Sequence, residues 1–374
     1  MRFSIAMNTS SSPKYQTLAQ LFAERIRNGE LQPGDRLPSF TQMRTQYGAT
    51  PATVERLYAQ LEREKLIERR HRSGVFVAEA QTGKTRTGTI GFVALHFSNR
   101  LLHPYNHHLL HGVQQEARDA GVQIMLLDDN AIADNRDKID GLLIYEHGHT
   151  DVEKYQDYDL PCVSLLLQKR GIPSVVADDF DGGRSATEHL LEMNHRRIAC
   201  LMGSDLLDTR DTLGELRIAG YRATLQRAGV SDDARWVRPV QYNPLETYAE
   251  RGYTAMTQWL GDDWKELGCT AILTQNDDVA IGVINALRDN GYNVPGDISV
   301  IGFDGAGVDA HYSLRLTTVE VPLEAIGAQG ARLLLRMIEG EDSSSHQVLP
   351  APLRLGQTSA APQGAAKYVT TQHH

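Results

Sequence analysis

The feature that most constrains the fold is the regular alternation of short apolar runs with helix-length amphipathic runs after about residue 88. The runs with strand character are 89–95, 122–127, 141–146, 161–167, 197–203, 270–274 and 298–303. The runs with helix character are 106–121, 183–194 with a cap near Asp181, 216–229, 246–260, 277–291 and 322–339. This alternation predicts an α/β fold with parallel sheets covered by helices on both faces. The pattern restarts near residues 178–200, which predicts two open lobes with a ligand site between them.

The first 86 residues differ from the rest of the chain in charge. They contain 14 Lys and Arg against 8 Asp and Glu, a net charge of +6, whereas the whole chain carries −9. The chain has 374 residues, and a single core stops growing near ~250 residues. We therefore expect a basic N-terminal module that binds a polyanion, joined to an acidic body.

Helix and turn signals within the basic module predict a winged helix-turn-helix. An apolar helical pattern ends at Gly29, and Ser39 is a good N-cap for a second helix. Thr50 is placed to cap a third helix that begins with Pro51, a residue favoured in the first helical turn. A basic turn and the strand-like run 75–77 follow, so that helices and a two-stranded hairpin occur in the order of a winged helix.

The segment IERRHRSGVFVAE, residues 67–79, crowds positive charge against a small turn. Taken alone, such a cluster is more often a solvated charged hairpin than a binding element. Because it follows a helix-turn-helix pattern, we expect its tip to lie along a phosphate backbone or in a minor groove. The first turn of helix 51–64 would then face base edges in the major groove.

Composition argues against several other classes of protein. No run of ~18 apolar residues is present to span a membrane, and the N-terminal segment lacks the apolar core of a secretory signal. Cys162, Cys200 and Cys269 lie far apart in apolar stretches, as expected of buried thiols in a reducing cytoplasm. No Ser/His/Asp set, P-loop or metal cluster is evident. We therefore expect a cytoplasmic protein that is not an enzyme and has no cofactor.

Residues 14–78 resemble the DNA-binding domain of GntR-type bacterial regulators. The resemblance lies in GELQPGDRLPS, YGATPATVERLYAQLEREKLIERR and GVFV, of which PGDRLPS and GxFV are specific. Phe40-Thr41 stands where that family carries Glu-Arg, so the operator should differ from the family norm. The resemblance carries over Ser39, Thr50, Thr53 and Gly74 as DNA-binding residues. Positive charge adds Arg44, Arg56, Arg70, His71 and Arg72, although Arg44 can equally be a solvated helix residue.

Residues 89–357 resemble the effector domain of LacI-type repressors, which is related to periplasmic sugar-binding proteins. The match lies in HLLEMNHRRIACLMG, NDDVAIG, VPGDISVIGFDG and RLTTVEVP. A GntR-type reader joined to a LacI-type body is a combination found in arabinose-responsive regulators. One departure is the segment between Leu127 and Asp140, which is shorter than the helix-bearing segment of the family.

These resemblances, together with the polar composition of the segment before residue 89 and of the end of the chain, predict four regions. The expected divisions are a winged helix-turn-helix over 1–78, a linker over 79–88, a two-lobed effector-binding and dimerisation domain over 89–360, and a disordered tail over 361–374.

A selective sugar pocket needs carboxylates, a guanidinium, amides and an aromatic face. The LacI-type resemblance implies ligand contacts from Tyr105, Arg217, Asn276 and Asp304, and more loosely from Tyr242. His96, Glu146 and Lys169 follow predicted strands and are ligand candidates for that reason. Structural roles stay open, because Asn276 can cap a helix, Asp304 can cap a turn and Arg217 can be a surface charge.

Two further clusters have both a chemical and a structural interpretation. His103, His107 and His111 recur every four residues and could form a metal-binding face, but no carboxylate partner or HExxH motif accompanies them. Asp178-Asp179, followed by Asp181, could be paired catalytic carboxylates, but it is interpreted as a strand end and a helix cap. Neither cluster is therefore assigned a site.

The sequence predicts a dimeric, sugar-responsive transcriptional repressor that binds a roughly palindromic operator. A monosaccharide between the lobes would control operator affinity. A ligand that acts as co-repressor and a nucleobase-type metabolite are alternatives. A non-regulatory sugar-binding protein, a sugar enzyme, or a DNA-binding activator without an effector are alternatives of a different class.

Overall fold

The computed structural model describes residues 15–64, 66–70, 74–78, 86–94, 103–145, 155, 157–168, 171–204, 212–241, 243, 245–308, 315–341 and 346–363. The chain divides into two compact units between Arg86 and Thr87. No helix in these ranges is long and apolar enough to cross a membrane.

The N-terminal unit consists of three helices and a hairpin. The helices are α1 (Tyr15–Arg27), α2 (Phe40–Tyr47) and α3 (Pro51–Arg63), and the antiparallel strands are β1 (Ile67–Arg70) and β2 (Gly74–Val77). Its core contains Phe22, Met43, Leu57 and Leu61, each fully buried. This element order confirms the winged helix-turn-helix that the sequence predicts.

Local sequence fixes the turn between α2 and α3. Ser39 and Gln42 form a capping box at the start of α2, which satisfies two free backbone N–H groups. Gly48 ends the helix at a φ of 62°, a conformation that costs glycine little. Thr50 then caps α3 by accepting a hydrogen bond from the Thr53 amide. A junction of three residues, Gly48 to Thr50, thus connects the two helices.

The larger unit contains two six-stranded sheets, each at the centre of one lobe. The first lobe has the strand order β13-β7-β6-β5-β3-β4, and the second has β14-β12-β11-β10-β8-β9. The strands of the first lobe are β3 (Thr89–Ala94), β4 (Gln123–Leu127), β5 (Leu142–Tyr145), β6 (Cys162–Leu165), β7 (Ser174–Ala177) and β13 (His346–Leu349). Those of the second lobe are β8 (Ile198–Ser204), β9 (Val237–Val240), β10 (Ala271–Thr274), β11 (Ser299–Asp304), β12 (Thr317–Glu320) and β14 (Leu353–Arg354).

Helices pack against both sheets. They are α4 (Pro104–Asp119), α5 (Ile132–Asn135), α6 (Asp179–Glu192), α7 (Thr212–Arg227), α8 (Tyr248–Gly261), α9 (Trp264–Leu267), α10 (Asp277–Asp289) and α11 (Leu323–Ile338). Neighbours in each sheet are parallel except β12 and β14, which are antiparallel. The α/β class with parallel sheets is therefore confirmed.

The chain passes between the lobes three times. It leaves the first lobe after β7, returns after β12 to form α11 and β13, and leaves again to form β14. The sequence predicted a single change of lobe near residues 178–200, so it included only the first of these three passages. Strands β7, β9, β12, β13 and β14, of two to four residues each, were not predicted.

The start of α6 differs from the sequence prediction, whereas the short segment after Leu127 agrees with it. Helix α6 begins at Asp179, and its N-cap is Asp178, which accepts from the Asp181 amide; the predicted start at residue 183 and the cap near Asp181 are wrong. In the short segment after Leu127, the structure has only the four-residue α5, flanked by 3-10 turns at Asp129–Ala131 and Arg136–Lys138.

The start of the larger unit is fastened to the first lobe. The amides of Thr87 and Gly88 donate to the two carboxylate oxygens of Asp140, each at 2.8 Å. Asp140 lies just before β5, which pairs with β3. These two hydrogen bonds therefore fix the first residues of the larger unit to its first lobe.

The three cysteines are free and buried, as the sequence predicts. Burial raises the pKa of Cys162, Cys200 and Cys269 to about 12 in each case. A protonated thiol is a poor nucleophile and metal ligand, so these residues act as small apolar side chains.

A buried histidine ties the C-terminal segment to the second lobe. His195 is 1% exposed; its Nδ1 lies 2.8 Å from Thr270 Oγ1, and its Nε2 lies 2.8 Å from Ala360 O. Since a carbonyl can only accept, Nε2 carries the proton and Nδ1 accepts from the threonine hydroxyl. Burial lowers the pKa of His195 from 6.5, and the hydrogen bond to Ala360 opposes that shift.

We expect acid to destabilise the second lobe through His195. Because the folded state disfavours protonation, this histidine stabilises the fold above pH 6.5, and the contribution is lost as the pH falls below that value. The difference in thermal midpoint between pH 7.5 and pH 5.5 should shrink by roughly 2–4 °C in His195→Gln. Fluorescence of the tryptophans, which all lie in this lobe, monitors the transition. The control is His107→Gln, at an exposed histidine, which should leave the difference in thermal midpoint unchanged. If His195→Gln also leaves that difference unchanged, His195 is not the group through which acid destabilises the lobe.

Candidate DNA-binding and effector sites

The first turn of α3 presents short hydroxyl side chains and one arginine. Thr50 is exposed and Thr53 half-buried, and their hydroxyl oxygens lie 2.8 Å apart. Arg56, one turn further along the helix, is exposed. The mutual hydrogen bond holds the two threonines in place, so this turn is a rigid polar surface that could face base edges.

Ser39 and Arg44 lie on the exposed side of α2. The amide of Ser39 donates to Gln42 Oε1 at 2.8 Å, and its hydroxyl accepts from the Gln42 amide at 3.4 Å. Ser39 therefore has a capping role, which leaves its predicted DNA contact untested. Arg44 is exposed on the same helix.

The hairpin uses part of its positive charge internally. Arg69 pairs with Glu55 at 2.8 Å and with Glu62 at 3.1 Å, which ties β1 to α3. Arg70 pairs with Glu68 at 2.6 Å and lies over the ring of Phe76. Arg69 thus positions the hairpin, the predicted DNA contact of Arg70 stays a prediction, and His71 and Arg72 lie outside the described residues.

Gly74 has a structural reason to be glycine. Its φ is 119°, and a Cβ built there would lie 2.9 Å from Nε of Arg36. Any other residue would be strained and would displace that guanidinium, which lies 6.0 Å from the centroid of Phe76. Gly74 therefore shapes the hairpin, and its predicted DNA contact stays a prediction.

In the larger unit, Arg217 of α7 is the centre of a buried polar cluster. It is 5% exposed; its Nε donates to Asp179 Oδ1 at 2.7 Å and its Nη1 to the Gln275 carbonyl oxygen at 2.5 Å. Its Nη2 lies 3.7 Å from Asp304 Oδ1, and its Cζ lies 3.6 Å from the centroid of Phe303. Burial lowers the pKa of this guanidinium, but Asp179 and Asp304 more than compensate and raise it. The alternative of a surface charge is therefore wrong.

Two glycines set the position of Arg217. A Cβ at Gly183 of α6 would overlap the Arg217 carbonyl oxygen, and a Cβ at Gly220 of α7 would overlap the Phe180 carbonyl oxygen. Helices α6 and α7 can approach this closely only because both positions lack a side chain. The close crossing brings Asp179, the first residue of α6, next to Arg217.

Asp304 ends β11 in a strained conformation at the same cluster. Its φ is 100°, which is rare for a residue with a side chain. Burial raises the pKa of Asp304 well above its ordinary range; Arg217 lowers it, and Asp277, Asp278 and Asp179 raise it further. A carboxyl group in this environment can donate as well as accept hydrogen bonds.

The strain at Asp304 is maintained by its neighbour in space, Asp277. One Asp277 oxygen accepts from the Gly305 amide at 3.0 Å, and the other accepts from the Thr318 hydroxyl at 2.5 Å. Asp277 is the first residue of α10, and Asn276 caps this helix by accepting from the Val279 amide at 2.9 Å. The predicted cap at Asn276 is confirmed, and its ligand contact stays a prediction.

Aromatic residues of the first lobe lie close to this cluster. Tyr105, in the first turn of α4, is 8% exposed. Burial raises its pKa well above 10, and the nearby charge of Asp304 raises it further. The Tyr145 hydroxyl donates to Asn106 Oδ1 at 2.6 Å. Tyr105, Arg217 and Asp304 are thus close to one another where the two lobes face each other, and Asn276 directly follows Gln275, whose carbonyl oxygen accepts from Arg217.

Sequence reasoning missed part of the site. Asp179 was interpreted as part of a strand end and helix cap, but it pairs with Arg217. The backbone oxygen of Gln275 and the carboxylate of Asp277 were not predicted at all. His96, Glu146, Lys169 and Tyr242 lie outside the described residues.

The histidines of α4 do not form a metal site in the structure. Within the described part of the chain, no group of three or more His, Cys, Asp or Glu side chains is arranged to hold a metal ion. The ring of His107 stacks on that of His111, and His108 Nδ1 lies 2.9 Å from Glu324 Oε1 on α11. His103 instead faces Asp278.

Two family profiles match the chain. Residues 14–77 match the family described as bacterial regulatory proteins, gntR family, and residues 187–359 match the periplasmic binding protein-like domain. These matches agree with the resemblances found in the sequence.

Several known proteins are similar over both units or over the larger unit. The arabinose metabolism transcriptional repressor of Geobacillus stearothermophilus is 26% identical, and the match covers 89% of this chain and 93% of that protein. The HTH-type transcriptional regulator DegA of Bacillus subtilis (strain 168) is 29% identical over 76% of this chain and 84% of its own length. Both relatives are named as transcriptional regulators.

Solved structures share the fold. A transcriptional regulator CelR in complex with cellobiose superposes with a TM-score of 0.65 at 24% identity, over 94% of this chain and all of that one. The transcription regulator GntR from Chromobacterium violaceum superposes with a TM-score of 0.61 at 27% identity, over 72% of this chain and 99% of that one.

We expect Arg217→Leu to destabilise the second lobe by about 3–5 kcal/mol, because Asp179 would stay buried without its cation. Urea unfolding monitored by tryptophan fluorescence measures the change. The matched control is Arg222→Leu on the same helix, where the salt bridge to Asp232 is exposed and its loss should cost less than ~1 kcal/mol. Equal effects of the two substitutions would show that Arg217 is not a buried charge centre.

Proposed function

We propose that this chain, a GntR-type winged helix joined to a periplasmic-binding-protein-like domain, is a transcriptional repressor whose operator affinity is controlled by a neutral sugar. The observation that carries the proposal is the cluster of Arg217, Asp179 and Asp304 beside Tyr105, at the carboxyl ends of strands between two lobes. Ligands bind at this position in open α/β sheets. The match to a repressor over both units supports the DNA-binding half.

The charge of the cleft favours a ligand without negative charge. Among the described residues, Asp179, Asp277 and Asp278 are the acidic groups that act on Asp304, and the guanidinium of Arg217 is the basic group that does so. Arg217 already donates to Asp179 and to Gln275. A uronate or a sugar phosphate would bring a further negative charge into this field, which costs free energy. Hydroxyl groups can donate to these carboxylates without that cost.

Control of DNA binding follows from cleft closure. A ligand that contacts Tyr105 on one lobe and Arg217 on the other favours the closed form. The repressor would act as a homodimer in the cytoplasm, with two winged helices on a roughly palindromic operator. If closure alters the dimer, a coupling of ~1–3 kcal/mol gives a ~5–150-fold change in DNA affinity.

A panel of sugars tests the ligand class. Neutral pentoses and hexoses are compared with uronates and sugar phosphates by the thermal midpoint of the full chain. At least one neutral sugar should raise the midpoint, since a ligand at 100 times its Kd adds about 2.7 kcal/mol to the stability. No anionic sugar should do so.

Arg217→Leu is the control in the panel, because it should abolish the response to the neutral sugar. Stabilisation by a uronate or phosphate alone would refute the neutral ligand but keep the cleft as a binding site. No response to any sugar would refute the sugar-responsive repressor.

Arg56 tests the DNA-binding surface. We expect Arg56→Ala to weaken binding to the duplex of its own promoter by roughly tenfold, as loss of a base or phosphate contact does. Fluorescence anisotropy at two salt concentrations measures the affinity and its salt dependence. The matched control Arg63→Ala removes the same charge from the last turn of α3 and should weaken binding less. Equal losses would mean that only net charge matters.

A further inference from the structure

His103 forms a direct contact between the two lobes. It precedes α4 in the first lobe, and its Nε2 lies 2.9 Å from Oδ2 of Asp278 in the first turn of α10 in the second lobe. Both side chains are mostly buried, with 33% and 25% exposed. This contact needs no ligand.

The other ring nitrogen of His103 fixes the start of α4. His103 is the N-cap of this helix, and its Nδ1 accepts from the Tyr105 amide at 3.2 Å. A nitrogen that accepts carries no proton, so the neutral ring is protonated at Nε2 and donates to Asp278. Pro104 has no amide hydrogen to satisfy. One imidazole therefore holds the turn that bears Tyr105 and also binds the opposite lobe.

Asp278 is also one of the aspartates that surround Asp304 in the effector site. It follows Asp277, which holds Gly305 and so maintains the strained Asp304. Its charge also raises the pKa of Asp304. The hydrogen bond from His103 thus reaches a carboxylate that would otherwise only add to the negative field of the cleft.

We propose that His103 is a positioning residue of the effector site: it couples the placement of Tyr105 to cleft closure through Asp278. The role of His103 in ligand binding rests on the proposed function, but the contact between the lobes can be tested without a ligand. Opening the cleft breaks the contact, so the contact biases the ligand-free protein toward the closed form. A ligand that needs the closed form then binds more tightly, because its apparent Kd is the intrinsic Kd divided by the closed fraction.

The test uses His103→Asn, Asp278→Ala and the double variant in the full chain, without sugar. Asparagine is a good N-cap, so it keeps the hydrogen bond to the Tyr105 amide while its shorter side chain releases Asp278. His107→Asn is the matched control, because His107 is exposed on the same helix and stacks on His111. Hydrogen exchange is followed in peptides that cover the starts of α4 and α10.

We expect each single variant to speed exchange on the opposite lobe, with His103→Asn acting at 277–284 and Asp278→Ala at 104–112, by about threefold to tenfold. That range corresponds to the loss of one hydrogen bond of ordinary net strength. The double variant should exchange no faster than the faster single variant, and His107→Asn should match the unmodified chain.

Effects confined to the substituted helix, or additive effects in the double variant, would overturn the coupling. A purely local cap cannot change exchange across the cleft. The exchange is measured without sugar, so its result does not depend on the sugar panel. Failure of the sugar panel would refute the proposed function but not the contact between the lobes. If a neutral sugar does bind, His103→Asn should weaken it by the same factor as the change in exchange.

Discussion

The buried ion pair of Arg217 and Asp179 is the interaction on which the effector site depends. An unpaired charge in this environment would cost several kcal/mol, so each group requires the other. Their approach is possible only because Gly183 and Gly220 let α6 and α7 cross at van der Waals contact. Once Arg217 is fixed, it holds Asp304 and the Gln275 carbonyl, and these present the polar face of the second lobe. The packing of two helices thus fixes the positions of the buried charged groups in this cluster.

The same cleft is linked to the rest of the chain by short, ordered connections. Three passages of the backbone join the lobes, and Asp277 ties the end of β11 to Thr318 on β12, the strand before the second passage. The first lobe holds the incoming chain through Asp140, the residue that accepts from Thr87 and Gly88. A change in the angle between the lobes therefore has a covalent route to the segment that leads to the winged helix.

The sequence predicts most of the fold because its signals are local. Periodicity and caps such as Thr50 and Asn276 identify helices, and apolar runs identify the long strands. Four-residue strands inside apolar runs, such as β5, β6 and β10, are predicted, whereas β9 (VRPV), β12 (TTVE) and β13 (HQVL) are missed because polar residues interrupt the apolar pattern. In the site, family resemblance points to Tyr105, Arg217 and Asp304. Asp179, Asp277 and the partner of His103 are missed, because their roles depend on contacts between residues 28 to 175 positions apart. Positive charge alone does not identify a DNA contact, since Arg69 pairs with two glutamates of its own module.

The central claim is that binding of a sugar in the cleft changes the affinity of the protein for DNA. The direct measurement is fluorescence anisotropy of a labelled duplex from the chain's own promoter. The full-length protein is added at fixed salt, and a neutral sugar that stabilises the protein is titrated. The account predicts a ~5–150-fold change in affinity for the duplex, lost in Arg217→Leu. An affinity that stays constant while calorimetry shows the cleft filling with sugar would contradict it.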